Sequence, residues 1–215
     1  KNKVKLLTNL ASGNALAGRI EGNVNTFLQS INNTANKKVL TSKHALDESE
    51  YQAISKLALG ILAQETKLGV SDKFQIKTPG AYLAKTVGLK KDEVSKGAGQ
   101  IKYETNYGKS DLTELGITES NFNDNDKTAL VIIDILASNY KKLKGKEGTE
   151  KALYKSIEKY NKGHNTKYSD SYDSDYANKV VLYSDIFDVN DDKNNTYATP
   201  IDKIILEKNI QMRRL

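Results

Sequence analysis

The clearest pattern in the chain lies at residues 47–65. Ile54, Leu57, Ala58, Ile61 and Leu62 recur at the three-and-four spacing of a helix face. Asp47 with Glu50, or Ser49 with Gln52, offers a capping box at the start of the run. Glu65 continues the apolar series, four residues after Ile61 and eleven after Ile54. Eleven steps of about 100° return almost to the starting azimuth. The pattern therefore predicts a helix with a carboxylate on its apolar face at the C-terminal end, where the helix dipole also opposes negative charge.

Weaker patterns order the rest. Val4, Leu6, Leu7, Leu10, Leu16 and Ile20 line one side of a predicted leading helix, and the polar stretch Ser30–Asn36 reads as turn or linker. Residues 66–94 read as an irregular insertion with a short helix near Gly80–Val87, and both prolines, Pro79 and Pro200, fall in loops. Ser95–Ile101 is a glycine-rich turn. Asp126 is expected to cap a long helix through about Leu143, with Leu130, Ile133, Ala137 and Tyr140 inward and Gly145 at its end. Thr149 would cap the next helix, with Leu153, Ile157 and Tyr160 inward and Gly163 closing it. A further helix is expected from Asp175 to Phe187 through Tyr176, Val180 and Tyr183, then an Asn/Asp-rich loop, then a short helix or strand over Ile201–Ile210. No internal repeat and no pair of strongly alternating runs is present, so the class expected is mostly α.

Composition narrows the chemistry. A chain of 215 residues suits one substantial domain with an appendage. Cys and Trp are absent, and His44 and His164 are the only histidines. Disulfides, thiolate zinc sites, thiol nucleophiles and two-His zinc motifs are excluded. No run approaches the roughly 18 apolar residues of a membrane-spanning helix. The net charge is +6, yet of 33 basic residues only Arg19, Arg213 and Arg214 are arginine. Proteins that read nucleic acid lean on arginine for bidentate contacts, so no nucleic-acid partner is expected. The charge suits a solvated lysine surface or steering towards a polyanion such as an anionic cell wall. The first residue is Lys and no signal-peptide core is visible, which leads to the expectation of a processed or excised piece of a longer protein.

Three features carry chemistry, and each also has an ordinary structural reading. Glu65 is either a solvated helix end or a carboxyl held against an apolar wall. The second environment disfavours the charged form, as a general acid requires. Gly97-Ala98-Gly99 lacks the spacing of a phosphate loop, but lets a ligand approach the backbone, with the Gln100 amide at its exit. Ile157–Gly163 is either a capped helix end with Tyr160 in the core or a segment presenting Tyr160 and Asn161 to a site.

Taken in order, these features resemble the lysozyme-like lytic transglycosylase family, of the soluble-lytic-transglycosylase type. The matching residues are Ala63-Gln64-Glu65-Thr66, then Ser95-Lys96-Gly97-Ala98-Gly99-Gln100-Ile101 with Thr105, then Lys159-Tyr160-Asn161-Lys162-Gly163, and finally Tyr176-Ala177-Asn178-Lys179-Val180, which looks like the family's closing Tyr-x-x-Lys-Val helix. The resemblance covers about residues 47–187. It implies a lysozyme-like domain there (mostly α, with minimal β), flanked by an N-terminal helix and linker at 1–46 and a C-terminal extension at 188–215. It implies Glu65 as the catalytic carboxyl, with Thr66, Gly97, Gly99, Gln100, Ile101, Tyr160 and Asn161 as substrate-binding or supporting residues. Two departures concern the subsites. The stretch from Glu65 to Gly97 is longer than the family's usual connection, and Gly99 stands where methionine often precedes the glutamine.

The activity implied is cleavage of the β-1,4 bond between N-acetylmuramic acid and N-acetylglucosamine in peptidoglycan. Glu65 would act as acid and then base, giving a 1,6-anhydro product without metal or cofactor. A muramidase using water is the near alternative; it calls for a second carboxylate, for which Asp72, Glu93 and Glu104 are available by order. A catalytically silent wall-binding or assembly module of the same fold is the alternative of a different class. The family setting places such a domain in the periplasm or cell wall, secreted after processing or carried by a virion or injection device among its other subunits.

Overall fold

The computed structural model describes residues 14–69, 98–101, 112–162, 171–185, 187 and 189. Among them are six α-helices and no strand: α1 (Asn14–Asn32), α2 (Thr34–His44), α3 (Glu48–Thr66), α4 (Asn125–Glu147), α5 (Thr149–Lys162) and α6 (Asp175–Ser184). The mostly-α expectation is met. None of these helices is long and apolar enough to cross a membrane.

Helix α3 starts where the pattern placed it. Asp47 accepts from Glu50 N at 2.8 Å, and Glu50 Oε2 accepts from Asp47 N at 3.1 Å, completing the capping box. The expected one-sided apolar face is instead apolar all round, since every residue from Leu57 to Ala63 is buried. A helix of this kind runs through a core rather than over it. It packs against α4 on one side and α6 on another. The small Gly60 meets the backbone of α6, where an added Cβ would lie 2.3 Å from Val180 O.

Part of the N-terminal region packs into the core. Ile20, Val24, Phe27 and Ile31 of α1 recur at four, seven and eleven residues and are buried in the same core as α3 and α4. The expected linker is helical, because Asn33 breaks the chain for one residue and its side chain caps α2, accepting from Ala35 N and Asn36 N at 3.0 and 3.1 Å. At the end of α2, buried His44 places Nε2 2.6 Å from Oδ1 of buried Asp134 on α4, and Lys43 Nζ lies 2.9 Å from the same oxygen.

Other boundaries shift by a few residues. Helix α4 begins at Asn125 behind Asp124 and runs past Gly145 to Glu147. Gly148, with φ 76°, makes the break that Gly145 was expected to make. Only a turn residue free of a Cβ enters that region cheaply. Helix α6 stops at Ser184 rather than Phe187. Phe187 and Val189 are buried beyond it. The predicted helix at Gly80–Val87, both prolines, the cap at Gly163 and the element at Ile201–Ile210 lie outside the described residues, as do Val4, Leu6, Leu7 and Leu10.

Candidate active site

Glu65 sits where α3 leaves the core, and its side chain is half-buried. Tyr176 of α6 donates its hydroxyl to Glu65 Oε1 at 2.6 Å. The other carboxylate oxygen, Oε2, has no hydrogen bond to a described residue. Tyr160 of α5 is buried nearby and donates to Gly99 O at 2.6 Å. Burial pushes the phenols of both Tyr160 and Tyr176 well above the usual tyrosine range, and the negative charge of Glu65 pushes both further. Both therefore stay protonated and remain donors.

The glycine-rich turn is held by two consecutive carbonyls. Thr66 Oγ1 donates to Ala98 O at 2.7 Å, and Tyr160 takes the next carbonyl, that of Gly99. Thr66 Oγ1 also accepts from Gly69 N at 2.8 Å. The hydroxyl at position 66 is thus a joint between the end of α3 and the glycine-rich turn. Gly99 fits closely: a Cβ there would lie 2.7 Å from Ile132 Cδ1, so that side chain would have to shift, and 3.2 Å from the Tyr160 hydroxyl. Gln100 follows with φ 52°, the left-handed region, which costs a residue with a Cβ about 1–2 kcal/mol.

The chain after Glu65 is similarly bent. Lys67, Leu68 and Gly69 have φ of 50, 62 and 76°. Leu68 N donates to Leu62 O at 2.9 Å, six positions back, so two successive left-handed residues close the helix end, with Leu68 itself fully buried.

The residues singled out in the sequence therefore divide. Glu65, Thr66, Gly99 and Tyr160 come together. Gln100 is half-buried beside them in the chain, and Asn161 is exposed. Ile101 is completely buried, so it anchors the turn in the core and does not line a cleft. Gly97, Thr105 and the three candidate second carboxylates, Asp72, Glu93 and Glu104, lie outside the described residues. Tyr176 was missed as a site residue, although it opens the Tyr-Ala-Asn-Lys-Val stretch that carried part of the resemblance. Among the described residues no group of three or more His, Asp or Glu side chains is placed to hold a metal ion. No family model matches the chain, and no curated protein or solved structure matches it significantly.

Proposed function

We propose that the chain is a lysozyme-like, peptidoglycan-cleaving glycosidase of the lytic transglycosylase type, with Glu65 as its acid and base. The observation that carries this reading is the 2.6 Å hydrogen bond from Tyr176 to Glu65, which leaves one carboxyl oxygen for a ligand. In the reading, the proton on Oε2 passes to the glycosidic oxygen as the bond from that oxygen to the muramic acid C1 breaks. Tyr176 offsets the carboxylate charge that then forms. Glu65 next takes the proton of the muramic acid C6 hydroxyl while that oxygen bonds to C1. The 1,6-anhydro ring closes, and the carboxyl group is protonated again. An intramolecular nucleophile makes this route efficient. The substrate is the glycan strand and the place of action is the bacterial wall.

The test is Glu65→Gln against purified sacculi, read by turbidity and by mass spectrometry of the released fragments. The wild type is expected to release anhydro-muropeptides, and the variant to lose roughly 100- to 10,000-fold in rate. Reducing-end products would replace the transglycosylase by a muramidase. Undiminished lysis by Glu65→Gln would remove Glu65 from the chemistry. A wild type that pellets with walls without lysing them would make the chain a binding module.

A further inference from the structure

The turn after Glu65 runs against backbone preference, since two of its three positive-φ residues, Lys67 and Leu68, carry a Cβ. Such a turn persists only where its surroundings over-determine it. Part of that restraint comes from α1. Asn23 Nδ2 donates to Leu68 O at 2.8 Å, and Asn23 Oδ1 accepts from Asn125 Nδ2 at 2.9 Å, at the first residue of α4. One amide thus ties together segments 45 and 102 residues away from it in the chain. A Cβ at Gly69 would lie 3.2 Å from both Asn23 Nδ2 and Ala98 Cβ. Gly69 is therefore the thin spacer between Asn23 and the glycine-rich turn.

We propose that Asn23 is a positioning residue of the site: by clamping the Leu68 carbonyl it holds the left-handed turn and so sets Glu65 against the glycine-rich turn. The part played by Glu65 rests on the function proposed above; the clamp itself does not. The N-terminal helix then belongs to the working site, although it lies outside residues 47–187, where the resemblance runs.

Asn23→Asp is the sharpest probe. It keeps the size of the side chain and the acceptor for Asn125, but sets a carboxylate oxygen against the Leu68 carbonyl, so two acceptors face each other. Val24→Ala is the control, a loss of buried core on the same helix that leaves the clamp intact. Well below the unfolding temperature, Asn23→Asp is expected to lower kcat on wall fragments roughly 10- to 100-fold with KM nearly unchanged. Amide hydrogen exchange at Leu68 and Gly69 should accelerate. Val24→Ala should lose stability with kcat and both amides unchanged. Wild-type kcat in Asn23→Asp, unaltered exchange at Leu68 and Gly69, or an equal fall of kcat in Val24→Ala would overturn the proposal. If the wild type releases no fragments, the proposed function has failed by its own test. The clamp is then judged on exchange alone, and unaltered Leu68 and Gly69 amides overturn it.

Discussion

Gly60→Ala sets two effects of opposite sign against each other. Alanine is about 1 kcal/mol better than glycine in a helix interior. By propensity alone the variant gains stability, and its Tm rises by about 2–4 °C for a chain of this size. The packing of α3 on α6 argues the reverse. The new Cβ would lie 2.3 Å from Val180 O and 3.2 Å from both the backbone N and the Cβ of Ser184. The nearest of these atoms is helix backbone, which no rotamer change can move aside. The two helices must part by about 1 Å to restore ordinary contact. Overpacking of this kind costs typically about 1–3 kcal/mol and occasionally more. With backbone as the obstacle the upper end applies, and subtracting the propensity gain leaves a loss of about 2 kcal/mol, or about 4–8 °C in Tm. Glu65 lies just over a turn further along α3, and Tyr176 one turn earlier along α6. An opening of about 1 Å would stretch their 2.6 Å contact beyond hydrogen-bonding range. Thermal and urea unfolding, with wall lysis measured in parallel, check both consequences. A Tm at or above the wild-type value would refute the reasoning, because propensity would then have won.

Two further predictions follow from individual groups. Tyr176→Phe removes the donor to Glu65, and a hydrogen bond to a charged group is worth about 1.5–3 kcal/mol, discounted here because water reaches the half-buried carboxyl. On the proposed activity, kcat on wall fragments is expected to fall roughly tenfold with little change in Tm, and an unchanged kcat would remove Tyr176 from the site. Glu158 is completely buried, its oxygens have no hydrogen-bond partner among the described residues, and Lys162 Nζ lies 3.6 Å away. Burial pushes its carboxyl above the usual range, and Lys162 pulls it only partly back. With the folded value above the unfolded one of about 4.3, the stability tied to its protonation is fully present below that pH. It is lost as pH rises through the raised folded value. Glu158→Gln should therefore gain about 1–3 kcal/mol over wild type at higher pH, seen as a flatter plot of urea midpoint against pH. Parallel plots for the two proteins would exclude the carboxyl as the cause.

How far the sequence could be read depended on whether an element declares itself locally. Helix α3 was legible because its capping box and apolar spacing lie within one segment. Its full burial was not, because whether Leu59 or Ala63 is covered depends on α4 and α6, which arrive from far along the chain. The stripe Ile20, Val24, Phe27 and Ile31 has clear helical spacing, yet polar Ser30–Asn36 drew attention to a linker. Asn33 turned out to cap a helix there, a role in which a polar residue looks the same as in a loop. Within the site, Glu65, Thr66, Gly99 and Tyr160 were legible as short motifs. Tyr176 and Asn23 were not, since their contacts reach across more than 40 residues of chain.

The partners of the carboxylates separate Glu65 from those that hold the fold together. Asp134 is met by Lys43 and His44, Glu50 by Lys144 and Tyr140, and Glu147 by Lys151 and Lys155. Protonating any of these breaks an ion pair, so each is suited to staying charged. Glu65 has no cationic partner among the described residues, and its hydrogen-bond donor is a neutral phenol kept protonated by burial and by Glu65 itself. A proton can leave or join such a carboxyl without dismantling a salt bridge. Glu158 is paired only loosely, with Lys162 at 3.6 Å, and it is sealed from solvent. Among these carboxylates Glu65 alone combines a neutral partner with a part-exposed side chain, and that combination suits the proposed role of passing one proton out and back.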